Sequence, residues 1–264
     1  FLVWMCQPQP KRDKLPLPVG IVGWIFCIGY SFAFFFTGML PALGIYTQQW
    51  VTQANGFLLN FTVALRYSSV DKPDDYSHDL VLKLMDEYPG VEENVDTTKP
   101  INIIVVMNES FSDLTIFDNL EVSQDPTPFL HSLSENTIKG WMYSPVTGGG
   151  TASVEFEYLT GFSTIFQPPH TVAYQLYTKE GMPSLASLFG VNGYETTAFH
   201  PYKSSGWNRP IVYNNMRFDN QLYQEDVDNA YLIRNYISDQ SDYETIFQIT
   251  DAEQGDPNFI FNVT

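Results

Sequence analysis

The sequence predicts an α/β protein built around a largely parallel central sheet, preceded by an apolar helical segment. Three observations carry that prediction. Ile101-Asn102-Ile103-Ile104-Val105-Val106-Met107 is short, β-branched and mostly apolar, which is how a strand covered on both faces reads. Strand-like and helix-like stretches then alternate as far as Val263, the pattern of crossover units on a parallel sheet. Finally, no Asp, Glu, Lys or Arg occurs between Leu15 and Leu65.

Within that charge-free stretch, Val19 to Leu40 is almost wholly apolar or aromatic and spans about 33 Å as a helix, enough to cross a bilayer. Gly20, Gly23, Gly29 and Gly38 suit close packing against neighbouring membrane helices. Lys11, Arg12 and Lys14 flank its N-terminal side, so the positive-inside rule sends the following chain outward. Phe1 to Cys6 is apolar and no Met begins the chain, which reads as the tail of an earlier membrane helix and hence as an internal fragment. Residues 1–45 are accordingly predicted as a transmembrane region with one full span over about 18–42. Residues 46–98, with Tyr46, Trp50, Phe57 and Phe61, are predicted as an outward-facing interfacial linker. That linker carries a short amphipathic helix at Asp79 to Tyr88, ended by Pro89-Gly90.

Residues 99–264 form the α/β part. After the strand Ile101 to Met107, the pattern predicts a helix at Thr127 to Ser134, a strand at Ile138 to Tyr143 and a helix at Thr151 to Leu159. A helix at Met182 to Phe189 closed by Gly190 and a strand at Tyr194 to Phe199 come next. A helix at Tyr231 to Ile237 and a strand at Asn258 to Val263 complete the series.

Composition narrows the function. The 264 residues carry a net charge of −17, and Asp13 is the single acid before Asp71. So acidic a domain repels a polyanion, which disfavours nucleic-acid binding. The two cysteines, Cys6 and Cys27, fall in or near the apolar segments, so the α/β part has no disulfide framework.

Ligand sites on open α/β sheets lie beyond the carboxyl ends of the strands, and three places there stand out. Glu109, in Asn108-Glu109-Ser110-Phe111, is placed to hold a hard metal ion, although a solvated loop charge reads equally well. Thr151 follows Thr147-Gly148-Gly149-Gly150 and opens a helix, where an anion is favoured; a plain helix cap is the alternative. His200, Lys203, Trp207, Arg209 and Arg217 share a window without acids between Glu195 and Asp219, a local donor set for an anionic group. Asp113 and Asp118 read as solvated loop charges, and His131 and His170 as structural.

In this order, an apolar membrane part, a strand ending in Asn108-Glu109-Ser110-Phe111, a Gly-Gly-Gly-Thr151 helix start and a His200…Trp207-Asn208-Arg209 loop resemble the lipoteichoic acid synthase group of phosphoglycerol transferases. That group has the alkaline phosphatase and sulfatase-like fold. The resemblance implies that Glu109 and Thr151 are metal ligands, that the metal is manganese, and that Thr151 is the nucleophile. Thr151 would take a phosphoglycerol group from phosphatidylglycerol and pass it to a cell-envelope glycolipid or teichoic acid acceptor. His200, Trp207 and Arg209 would hold the glycerol phosphate, at the outer face of a bacterial cell membrane. The remaining metal ligands, an Asp-His pair, and a further substrate His are expected beyond Thr264. The family often has Asp two places after the first His; here Tyr202 stands there, which opens the donor and acceptor specificity. Phosphoethanolamine transfer, sulfatase-like hydrolysis and a non-catalytic surface-binding role are the alternatives, and Thr151 argues against a sulfatase nucleophile.

Overall fold

In the computed structural model, residues 17–36, 56–57, 61, 65, 72, 74–88, 101–109, 111–146, 150–167, 171–252 and 257–264 are described. The chain divides into two units, 1–69 and 70–264.

In the first unit, helix α1 runs Leu17–Phe36. Its apolar side chains, among them Val22, Trp24, Ile25 and Phe26, stand exposed, as does the free thiol of Cys27. The transmembrane helix expected over about 18–42 is not found: no helix among the described residues is long and apolar enough to cross a membrane. The apolar start of the chain, Phe1 to Cys6, and most of the interfacial linker lie outside the described residues.

The second unit begins with α2 (His78–Glu87), capped by Ser77, whose hydroxyl accepts from Leu80 N at 3.1 Å. The central sheet has four strands: β1 (Ile103–Met107), β2 (Glu195–His200), β3 (Asn220–Tyr223) and β6 (Asn258–Val263). Their order is β1-β6-β2-β3 and every pairing is parallel. The register sets Ile103 opposite Phe259 and Glu195 opposite Asn258, so the carboxyl ends of the strands share one edge.

Side chains alternate across this sheet with period two. Ile103, Val105 and Met107 of β1, Ala198 of β2 and Phe259, Phe261 and Val263 of β6 share one core. Helices α4 (Thr151–Thr160), α5 (Ala173–Leu176), α6 (Leu185–Val191) and α7 (Arg209–Asn215) supply Ala152, Phe156, Leu159, Tyr174, Ala186, Val212 and Tyr213 to it. The opposite face packs Val106, Phe199 and Ile260 against Ile246 and Ile249 of α8 (Asp239–Ala252). The short α3 (Pro128–Ser132) lies among exposed loops.

Three sequence expectations are corrected. Ile138 to Tyr143 forms no strand: Ile138 and Tyr143 are almost fully exposed, and no neighbouring strand is there to complete a ladder among the described residues. Tyr231 to Ile237 is not a helix but a hairpin of β4 (Leu232–Ile233) and β5 (Tyr236–Ile237). Arg234 and Asn235, at φ 54° and 70°, form the two-residue turn of primed type that matches strand twist. Gly190 does not close its helix; α6 starts later than expected, at a Ser184–Ser187 capping box, and runs through Gly190 to Val191.

Candidate active site

Glu109 follows the end of β1 by two residues, and its backbone N–H donates to Thr264 Oγ1 at 3.0 Å. Thr264 directly follows β6, and its own N–H donates to Met107 O at 3.2 Å, so the ends of β1 and β6 are tied together beneath the carboxylate. Thr151 is the first residue of α4. Its hydroxyl donates to Glu109 Oε2 at 2.5 Å, a short contact of the charge-assisted kind.

Gly150 makes that placement possible. It caps α4 at φ 82°, a left-handed conformation that costs glycine little, and a Cβ there would come within 3.2 Å of Val146 Cγ1. Its carbonyl accepts from Ser153 N at 2.8 Å and starts the helical turn. Thr147 to Gly149 and Ser110 lie outside the described residues.

His200 ends β2 at the same sheet edge and is buried. Its Nδ1 lies 2.7 Å from Val263 O. A carbonyl only accepts, so Nδ1 carries the proton and Nε2 keeps its lone pair when the ring is neutral. Burial and the nearby Arg209 charge hold its pKa below the ordinary histidine range, which favours the neutral ring. Three strand ends therefore present Glu109, Thr264 and His200 together.

Trp207 and Asn208 both adopt left-handed backbone, φ 55° and 62°. For a tryptophan this conformation is costly, and such strain concentrates at functional sites. The half-buried Trp207 packs against the main core. Arg209 is almost fully buried, and its guanidinium is already engaged: Nη2 donates to Glu155 Oε1 at 2.5 Å and Nε to Oε2 at 3.3 Å. The hydroxyls of Tyr174 and Tyr213 also donate to Glu155 Oε2, at 3.0 and 2.7 Å. Burial opposes the guanidinium charge, but the Glu155 carboxylate more than offsets it, so the arginine pKa rises. Arg209 Nη1 is turned toward Gly206, 3.1 Å from where a Cβ on that residue would stand.

Sequence reasoning missed Glu155 and Thr264. The signal for Glu155 was present: it lies four residues after Thr151, one helical turn along the same face, among residues that bury Ala152, Phe156 and Leu159. No sequence signal marked Thr264, whose role depends on the pairing of β6 with β1. His131, read as structural, binds two carboxylates, Asp125 through Nδ1 at 2.8 Å and Asp113 through Nε2 at 2.9 Å. Asp113 is thus a hydrogen-bonded partner rather than a free loop charge. His170 lies outside the described residues.

Glu109 and Thr151 offer a carboxylate and a hydroxyl oxygen, donors suited to a hard divalent cation. They fit as part of a coordination set; no cluster of three or more His, Cys, Asp or Glu able to hold a metal occurs among the described residues.

The comparisons show the family to which this parallel α/β sheet, with a hydroxyl and a carboxylate meeting at its carboxyl edge, belongs. The Sulfatase family model matches residues 101–264, and the chain belongs to that family. Members of this superfamily use divalent metal ions. The chain is 37% identical over 213 residues to a putative cyclic β-1,2-glucan modification protein of Rhizobium meliloti, covering 80% of this chain and 32% of that protein. It resembles the crystal structure of the lipoteichoic acid synthase LtaP from Listeria monocytogenes, with TM-score 0.55 and 26% identity over 66% of this chain and 43% of that one. It also shares the fold of the Streptococcus pyogenes phosphoglycerol transferase GacH, solved with sn-glycerol-1-phosphate, at TM-score 0.65 and 23% identity over 74% and 53% of the two chains. The chain spans about a third of the length of the curated relative it matches.

Proposed function

We propose that this chain carries the nucleophile and part of the metal and substrate site of an envelope phosphoglycerol transferase. The enzyme would move glycerol phosphate from phosphatidylglycerol to a glycolipid or polymer acceptor. The observation that carries this reading is the hydrogen bond from Thr151 to Glu109 at the start of α4. The name of the glucan-modifying relative supports a saccharide acceptor.

In the reaction, Thr151 Oγ1 attacks the phosphorus and its proton leaves along the hydrogen bond to Glu109. The phosphate ester bond to diacylglycerol breaks, and the leaving alkoxide takes up the proton that Glu109 received and departs as diacylglycerol. An acceptor hydroxyl then attacks the phosphothreonine, and Thr151 recovers a proton as the new ester forms. A divalent cation held by Glu109 and Thr151, with manganese proposed, would lower the hydroxyl pKa and stabilise charge on the phosphoryl oxygens. The N-terminus of α4 favours negative charge at the same point. His200, through its neutral Nε2, is proposed to hold a glycerol hydroxyl, with Trp207 flanking the glycerol. Arg209, pre-set by Glu155, would meet the phosphate through Nη1.

Anchoring at the outer face of the cell membrane belongs to the same proposal. The charge-free run Leu15 to Leu65 and the preceding Lys11, Arg12 and Lys14 support it. Such an anchor would bring the lipid headgroup to the site, and the local cations, rather than the acidic domain as a whole, would draw it in.

The test uses the full-length protein with fluorescent phosphatidylglycerol and manganese. Wild type is expected to release diacylglycerol and Thr151→Ala to release none; equal release by both would remove Thr151 from the mechanism. Phosphatidylethanolamine in place of the donor separates this reading from phosphoethanolamine transfer.

A further inference from the structure

Tyr202 lies two residues beyond His200, on the segment that leaves the carboxyl end of β2. Its ring stacks on Tyr236 of the β4–β5 hairpin, with centroids 5.3 Å apart and planes 28° from parallel. The same Tyr202 ring meets His200 edge to face at 6.2 Å. The pair is tied to the sheet edge, because Tyr202 O accepts from Gln224 N at 3.0 Å directly after β3. Both rings reach solvent, Tyr202 at 37% exposure and Tyr236 at 55%, and Tyr231, Leu232 and Ile233 of the hairpin are exposed beside them. Two stacked tyrosines left open next to a buried site histidine make a flat aromatic shelf.

The charge around the shelf limits what it can receive. Glu225 Oε1 accepts from Ser204 N at 3.3 Å, two residues from Tyr202, and Asp226 Oδ2 accepts from Tyr223 N at 2.9 Å, while Asp239 follows the hairpin, against Lys203 and Arg234. Such a rim repels anionic headgroups, so a lipid surface is a poor occupant. It suits a neutral polyol: carboxylates accept hydrogen bonds from sugar hydroxyls, and the C–H bonds on one face of a pyranose lie against the electron-rich faces of aromatic rings.

We infer that the Tyr202–Tyr236 shelf is the acceptor subsite and binds a neutral glucose unit of a glucan, with a sugar hydroxyl presented toward His200 and the phosphothreonine. This assignment rests on the transferase reading of the site.

The experiment titrates a β-1,2-linked glucan oligosaccharide into the full-length protein by calorimetry and measures KM and kcat for its phosphoglycerylation. Tyr236→Ala and Tyr202→Ala are expected to weaken glucan binding about tenfold and raise KM to match, with a smaller change in kcat. Tyr236→Phe, which keeps the ring, is expected to restore binding. Unchanged glucan affinity in both alanine variants would overturn the shelf and leave the transferase reading standing. Weakened binding to phosphatidylglycerol vesicles with unchanged glucan affinity would also overturn it, in favour of a membrane contact. A wild type that cleaves no phosphatidylglycerol would overturn the transferase reading, while the calorimetric titration still decides whether the shelf holds glucan.

Discussion

The carboxylate of Glu155 and the guanidinium of Arg209 form a two-point ion pair inside the core, 54 residues apart in sequence and each almost wholly removed from water. Glu155 sits one turn below Thr151 on α4, and Arg209 opens α7 directly after the strained Trp207-Asn208 pair. The ion pair therefore joins the helix that Thr151 opens to the loop that carries Trp207.

Removing one charge from that pair strands the other. Glu155→Gln keeps the shape and an acceptor for Tyr174 and Tyr213 but leaves Arg209 buried without a counter-charge, and is expected to cost about 3–5 kcal/mol. Thermal denaturation monitored by circular dichroism checks this. A melting temperature equal to wild type would show that the pair does not hold the two helices together.

Glu109→Gln is expected to behave differently. Glu109 is partly exposed, and a glutamine can still accept from Thr151, so stability should change by less than about 1 kcal/mol. Affinity for manganese should fall at least tenfold in the full-length protein, since a neutral amide is a weak ligand for a hard cation. Calorimetric titration of the metal measures it, and unaltered affinity would exclude Glu109 as a ligand.

Asp242 gives a pH signature. It is buried on α8, where burial pushes its pKa up to about 6, although Asn262 Nδ2 donates to it at 2.8 Å. An acid whose folded pKa is raised stabilises the fold below its unfolded value, near 3.8, and loses that contribution as pH rises through about 6. Asp242→Asn should therefore match wild type in stability near pH 3.5. It should exceed wild type above pH 6 by at most about 3 kcal/mol. Chemical denaturation at a series of pH values reads the gap; a constant difference would mean the carboxylate is not desolvated.

His131 predicts the pH behaviour of an exposed loop. Hydrogen bonds donated by its ring to Asp113 and then to Asp125 raise its pKa, and Asp113 is held down to about 2 by Thr115 and His131. The clasp is thus complete below the ordinary histidine pKa and is lost as pH rises through the raised one. Amide exchange across 113–131, corrected for its intrinsic pH dependence, should quicken on the alkaline side in wild type and be fast throughout in His131→Ala. Exchange in wild type that ignores this titration would refute the clasp.

Much of the sheet is legible in the amino-acid pattern. Strands β2 and β6 are buried on both faces, and β1, at the sheet edge with Ile104 exposed, still carries the apolar run Ile103 to Met107, so all three can be recognised without their partners. Strand β3, Asn220-Gln221-Leu222-Tyr223, is an edge strand with half-exposed polar residues and carries no such run. The hairpin Leu232 to Ile237 has apolar residues that fit a helix as well as two short strands, and the two positive-φ residues, Arg234 and Asn235, decide the matter.

Local pattern thus suffices for the α/β class, for strands β1, β2 and β6, and for the placement of Glu109, Thr151 and His200 at strand ends or at a glycine-led helix start. The physical cause of each lies within a few residues. Folding of the whole chain is what makes Thr264 support Glu109, lets Glu155 claim Arg209, and stacks Tyr202 on Tyr236. Each of those is a contact between residues far apart in the chain, set by sheet order and helix packing, and no local pattern encodes it.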